Sequence, residues 1–526
     1  MKIRSGLVLT ALASQISSAF DESSQKYRLR QHQYHQQDSS HITEYICRAQ
    51  KMVYRFKEKV GCPGMSVCVS LAGKIIYQED NLMFIHFFEG VGYANVEHMV
   101  PVNENTVFRI ASISKPFTSL LVGRLLDQHK LDLDEDIRSY LPEFPEKTVS
   151  GTYAKITVRS LLNHTSGIRS YKKISDENKQ SAYPEMLNTV RFNDTLNACD
   201  MFKNDTLVHE PGVEYTYSTF AFTLLSAVIE KICLNKGSLF DQPLATVKGE
   251  SKSSCENEAK STNSLPKWAR FDTNLLRLFQ YLNLNNTCLE YPEKIISSRA
   301  AQYCRSDKGI LTNTPTIDNS YKWGGGGILS TASDLIRLAD HLAFIYMGWL
   351  ESYGIVKQST LNQLLWKVSC VPPDRSTLPG LGWFLARRSG DPATKENGYP
   401  DRLYALHTGG AVGGTTVLLL SLPLLCNNDN IPNKTNEGNT FSTTDNNHNF
   451  ISSVQNNTVI ISPVNKIYPV DVRIKAANIP PINVAILTNL ENVSGISELA
   501  IHLSELFLDY AIKLKEYEDD EEIKKC

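Results

Sequence analysis

The sequence predicts an α+β fold: an antiparallel sheet assembled from both chain ends, with flanking helices and an inserted helical lobe. Strand-like segments cluster near the two ends, at 64–71 and then far downstream at 403–410, 415–420 and 483–488. Between them apolar residues recur at helical spacing, above all over 113–128 and 219–232. The length, 526 residues, exceeds what one compact core usually holds. Strands at both ends and helices between them are accommodated when the sheet closes from the two termini and the helices form a lobe of their own. The expected units are a presequence and flexible leader (1–40), the first part of the α/β lobe (41–111), a mainly helical lobe (112–322), the second part of the α/β lobe (323–515) and an acidic tail (516–526).

In chain order, Lys2 and Arg4 precede a short apolar run over 6–13, with no acidic residue before Asp21. That pattern fits a secretory signal or a mitochondrial presequence. The run is too short for a transmembrane helix, which needs about 20 apolar residues, and no later segment reaches that length. Residues 21–40 are polar and read as a leader. Ile46, Val53 and Phe56 mark one side of a helix over 42–60. Residues 64–71 alternate as a strand, and Ala72-Gly73 turns it into a second strand at 74–78. An apolar cluster at 81–88 either extends that sheet or is an insertion. A long helix follows Ser112, with Leu120, Leu121, Val122, Leu125 and Leu126 as its apolar face. Residues 246–266 are a polar surface excursion. Residues 426–458, dense in Asn, Thr and Ser, form a long disordered loop between the strands at 415–420 and 458–461. The final helix carries Leu499, Leu503, Leu506, Phe507 and Tyr510 on one side.

Composition narrows the function. A net charge of −2 and a hydrophobic fraction of 42% describe an ordinary folded chain, with no electrostatic reason for a nucleic-acid partner. The eleven cysteines include no Cys-x-x-Cys pair and no zinc-like spacing. They are expected to be mostly free, buried thiols.

Three local patterns carry chemistry. Ser112-Ile113-Ser114-Lys115 places a lysine one helical turn from a serine, within reach of its hydroxyl. A serine needs such a neighbouring base to act as a nucleophile, and a helix start favours an oxyanion. Tyr217, in Tyr215-Thr216-Tyr217-Ser218-Thr219, opens a second apolar helix and offers a phenol for proton transfer. His407-Thr408-Gly409-Gly410 ends a strand. There glycine admits a close backbone approach, the Thr408 hydroxyl can face a substrate, and the Gly410 N–H can complete an oxyanion hole. Each pattern alone has an ordinary structural explanation. Their order is the informative feature.

Together with Gly92-Tyr93-Ala94-Asn95, His164-Thr165-Ser166-Gly167 and the run Asp318 to Gly327, these patterns resemble the beta-lactamase and penicillin-binding-protein-like serine hydrolases. The resemblance is to the class C and esterase branch, and within it to the mitochondrial serine beta-lactamase-like proteins of animals. It spans about residues 45–510 apart from the inserts. It implies a beta-lactamase/transpeptidase-like fold and an acyl-enzyme on Ser112, with Lys115 and Tyr217 moving the proton and no metal or organic cofactor. It also implies a mitochondrial, intermembrane-space peptidase linked to lipid metabolism, acting on a peptide or ester and forming a homo-oligomer or filament. The alternatives are a secreted esterase-like hydrolase and a filament-forming protein with little turnover. Two departures bear on specificity. Thr219 stands where class C enzymes have asparagine, and His407 where they have lysine. An imidazole has an ordinary pKa of about 6.5, so recognition of a substrate carboxylate is expected to weaken. Whether Lys115 or Tyr217 is the base stays open in the sequence.

Overall fold

The computed structural model describes residues 42–71, 85–172, 184–240, 265–350, 354–369, 378–388, 400–424 and 479–525. The presequence and leader, the strand at 74–78, most of the 246–266 excursion, the Asn-rich segment and the strand at 458–461 lie outside these residues. The chain divides into two compact units, Met1–Met52 and Val53–Cys526. In the first, residues 42–52 are helical. The sheets and helices described below belong to the second.

The main sheet has seven strands: β1 (Gly64–Leu71), β2 (Ile85–Asn95), β3 (Val100–Pro101), then β7 (Phe384–Arg388), β8 (Arg402–Ala411), β9 (Gly414–Pro423) and β10 (Ile482–Thr488). Their order is β7-β8-β9-β10-β1-β2-β3, and the neighbouring pairs are antiparallel. The seam between the two chain ends is the pairing of β1 with β10, in register from Met65–Thr488 to Leu71–Ile482. Of the apolar cluster at 81–88, the described residues from Ile85 onward belong to β2, and the remainder lies outside the described residues.

Every residue of β1 and β10 is buried. Both faces of the sheet are therefore covered, which is why these strands read as nearly continuous apolar runs. On one face Leu418, Leu420, Ala485 and Leu487 join the main core. On the other, Phe87 of β2 meets Phe507 of the C-terminal helix α7 (Ile496–Lys525), ring centroids 5.8 Å apart. The acidic end expected as a tail continues this helix in its backbone as far as Lys525.

The helical part holds α1 (Ser114–Asp127), α2 (Val158–Leu162), α3 (Thr219–Lys236), α4 (Phe271–Tyr281), α5 (Trp323–Gly326) and α6 (Ala332–Met347). A small second sheet pairs β6 (Ile328–Ser330) with β4 (Phe108–Arg109) and β5 (Cys288–Leu289). Helix α1 differs from expectation. Residues 114–123 and Leu125 are all buried, so it has no outward polar face. A helix buried all round is a core helix, and each large apolar side chain on it contributes about 1.5–3 kcal/mol by burial. Cys62, Cys68, Cys199 and Cys233 are buried free thiols, Cys288 and Cys304 are half-buried, and Cys47 is exposed. Among the described residues no helix is long and apolar enough to cross a membrane.

Candidate active site

The site begins with an unusual backbone. Ser112 does not open the α-helix itself. It sits in a 3-10 turn, Ala111–Ile113, just before α1. Ala111 has φ of 49°, a left-handed conformation that a residue with a Cβ adopts only where its surroundings impose it. Ser114, the other hydroxyl of the motif, is occupied locally: its Oγ donates to Ala111 O at 2.7 Å and lies 3.3 Å from the Ile328 N–H. Ser114 therefore holds the turn, and Ser112 is left facing the other functional groups.

Two side chains converge on Ser112 Oγ. Lys115 Nζ lies 3.0 Å from it and Tyr217 Oη donates to it at 2.8 Å. Lys115 has no solvent exposure. Its Nζ also donates to Gly325 O at 2.8 Å and lies 4.8 Å and 5.4 Å from the ring centres of Tyr217 and Phe222. Burial, and after it the ammonium of Lys322, hold the Lys115 pKa well below the ordinary lysine value. Burial also raises the Tyr217 pKa, so the phenol keeps its proton. Burial thus disfavours the charged form of both groups, so an amine and a phenol, each shifted toward neutrality, meet on one serine hydroxyl.

Tyr217 is held from behind. The His164 ring lies 4.3 Å from its ring, and His164 Nδ1 is 3.2 Å from the Ser218 N–H that it accepts. Ser218 caps α3, its Oγ accepting from Ala221 N–H. Thr219, the first residue of α3, is buried and has its methyl group against Gly325. A Cβ on Gly325 would lie 2.8 Å from Thr219 Cγ2, and one on Gly324 only 2.3 Å from Ser226 Oγ. The glycine run of α5 thus threads between α1 and α3, presenting the Gly325 carbonyl to Lys115. The sequence showed the run but not this use of it.

Strand β8 supplies the other wall. A Cβ on Gly409 would lie 2.4 Å from Ile110 O and 3.1 Å from the Ala111 Cβ, so glycine is what lets the strand reach the nucleophile turn. Gly410 is exposed, and its Cβ direction meets nothing within 4 Å. Thr408 is half-buried and pairs with Val417. His407 is 1% exposed. Its Nδ1 is 2.6 Å from the Thr408 carbonyl oxygen and its ring 5.1 Å from that of Phe384, which places it within the sheet's packing.

A buried ionic clamp, absent from the sequence patterns, ties these walls together. Arg109, three residues before Ser112, bonds Glu290 through Nε at 2.9 Å and pairs with it through NH2 at 2.8 Å. Its NH1 donates to Val412 O at 2.6 Å, two residues beyond Gly410. Arg299 and Asn319 complete the shell around Glu290. Burial alone would raise the Glu290 pKa. The two guanidiniums and the Asn319 amide outweigh it, and the carboxyl stays below its ordinary range. Among the described residues no group of three or more His, Cys, Asp or Glu is arranged to hold a metal.

The chain is similar to known proteins in sequence and in fold. The beta-lactamase family profile covers residues 49–422. The mitochondrial serine beta-lactamase-like protein LACTB of Homo sapiens is 30% identical over 446 residues, 73% of each chain, and that of Mus musculus is 30% identical over 452 residues. Among solved structures, the octameric penicillin-binding protein homologue of Pyrococcus abyssi superposes with a TM-score of 0.54 at 16% identity, covering 88% of this chain and 77% of that one. A class C beta-lactamase does so with a TM-score of 0.51 at 16% identity, covering 89% and 95%. The sheet closed from both chain ends is the fold these structures share, and by its sequence this chain belongs to the beta-lactamase family of serine hydrolases.

Proposed function

We propose that the protein is an acyl-transfer hydrolase in which Ser112 is the nucleophile, Lys115 the base and Tyr217 the proton relay. The observation that carries this reading is the convergence of a buried, deprotonation-prone lysine and a neutral phenol on one serine hydroxyl. Ser112 Oγ attacks an ester or amide carbonyl and its proton passes to Lys115 Nζ. The N–H groups of Ser112 and Gly410 hold the resulting oxyanion, an interaction of about 3–4 kcal/mol for a single donor in comparable sites. The proton then returns through Tyr217 to the leaving group as the carbonyl re-forms, leaving an acyl-enzyme. Water attacks that ester, gives up a proton to Lys115, and Ser112 Oγ takes one back as the acid leaves. Half-buried Thr408 lines the binding side, and the buried Thr219 and His407 support it from within the packing. LACTB carries "mitochondrial" in its name, which supports a mitochondrial location here. The resemblance extends the proposal to a peptidase with an effect on lipid metabolism.

Hydrolysis of a neutral chromogenic ester and of a chromogenic peptide amide by the full chain tests the reading. Ser112→Ala and Lys115→Met are expected to lose turnover, and Tyr217→Phe to lose about 10²–10⁴-fold in kcat, the usual worth of a general acid–base group. Turnover by folded Ser112→Ala at the parent rate would overturn it.

A further inference from the structure

A second lysine stands at the same glycine turn and no step above uses it. Lys322 lies one residue before α5 and is 5% exposed. Its Cδ and Cε are 3.5 Å and 3.8 Å from where a Cβ on Gly326 would stand, a point 3.9 Å from the backbone carbon of Ala111. Lys115, from the other side, bonds the adjacent Gly325 carbonyl. The two lysines therefore flank one short stretch of backbone beside Ser112. Among the described residues the Lys322 ammonium has neither an ion pair nor a hydrogen bond. Its Nζ lies 5.1 Å and 5.8 Å from the ring centres of Tyr321 and Tyr171.

We propose that Lys322 is a positioning residue for catalysis: a buried ammonium that keeps the positive charge of the pair, so that Lys115 stands beside Ser112 as a free amine. Two like charges buried on either side of one short stretch of backbone disfavour each other, and the environment decides which group keeps the proton. The groups that act on Lys322 are Arg109, which opposes its charge, and the Glu290 carboxylate, which favours it. Burial brings it down to about 8, still protonated at pH 7. Around Lys115 stand Ser112, the neutral Tyr217 phenol, the Phe222 ring and the Gly325 carbonyl. Among the described residues no carboxylate contributes there, and the charge that acts on it is that of Lys322. Arg109 thus has two connections to the site, one to the backbone at Val412 and one through this charge balance.

The inference rests on Lys115 being the base, and the test separates the two. The second-order rate of fluorophosphonate labelling, a neutral probe, is measured against pH for the parent protein, Lys322→Met, Lys322→Arg and Lys115→Met. Removing the neighbouring positive charge raises the Lys115 pKa. Lys322→Met is therefore expected to move the acidic limb of the profile up by about one pH unit, the lower end of the range for a nearby charge. That corresponds to about a tenfold loss below the limb, with the high-pH plateau retained. Lys322→Arg, which keeps a charge, should hold the limb near its parent position. A purely structural lysine would lower the rate at all pH values without moving the limb, and that result overturns the inference. If Lys115→Met is silent while the limb of Lys322→Met stays put, only the role of Lys322 is lost. If Lys115→Met labels like the parent, the base assignment fails and this inference with it. Should Lys322→Met not fold, Lys322→Gln makes the same comparison.

Discussion

Replacing Gly409 by alanine should separate strand β8 from the nucleophile turn. The added Cβ would stand 2.3 Å from Thr416 Oγ1 and 2.4 Å from Ile110 O. Carbon–oxygen contacts of this kind settle near 3.3 Å, so the strand or the turn must give way by about 0.9 Å. The Thr416 hydroxyl has little room to swing clear, because it already donates to Ile110 O at 3.1 Å. Displacements of about 1 Å between reacting groups cost on the order of 100-fold in rate, and overpacking a tight contact costs about 1–3 kcal/mol of stability. Ester hydrolysis should therefore fall about 100-fold in kcat/KM, with a lower melting temperature. Gly410→Ala is the control for stability, since its Cβ direction is open; its melting free energy should stay within about 0.5 kcal/mol of the parent. If Gly409→Ala keeps both its melting temperature and its kcat/KM, close approach of β8 is not what shapes the site.

Arg109→Met leaves Glu290 buried without its main partner, and urea unfolding should show a loss of about 3–5 kcal/mol, partly restored in Arg109→Met/Glu290→Gln. Because the folded Glu290 pKa is depressed, its contribution is present above the ordinary carboxylate value of about 4.3 and is lost as pH falls through the lower folded value. Acid unfolding of the parent should therefore be steeper than that of the double variant. Glu230 behaves oppositely. Burial raises it to about 7, and it accepts from Phe271 N–H at 2.8 Å and from Thr195 Oγ1. Its stabilising contribution is full below about pH 4.3 and is lost as pH rises through about 7. Glu230→Gln should flatten the decline in stability over that window, and an unchanged slope in thermal melts from pH 5 to 8 would show that Glu230 is not the titrating group.

What was legible in the sequence follows from range. The strands β1, β9 and β10 and the helices α1 and α3 announce themselves through apolar patterns that neighbours along the chain share. Ser112 and Lys115 are three apart and reach one another through local geometry. Tyr217 is 105 residues from Ser112, and nothing local joins them; the order of the motifs, read as a family resemblance, does. The clamp between Arg109 and Glu290 spans 181 residues and consists of ordinary charged residues in ordinary contexts. Lys322 lies beside a conspicuous glycine run, yet its burial next to Lys115 depends on how three separate elements pack. The left-handed Ala111 is invisible in composition, because alanine is what a helix start would also accept.

The most direct measurement is peptide mapping by mass spectrometry of the full chain after reaction with a fluorophosphonate at neutral pH. A single adduct on Ser112, absent from folded Ser112→Ala and from Lys115→Met, is the expected result. An adduct on another serine, or equal labelling of Ser112→Ala, would contradict the assignment of Ser112 as the nucleophile.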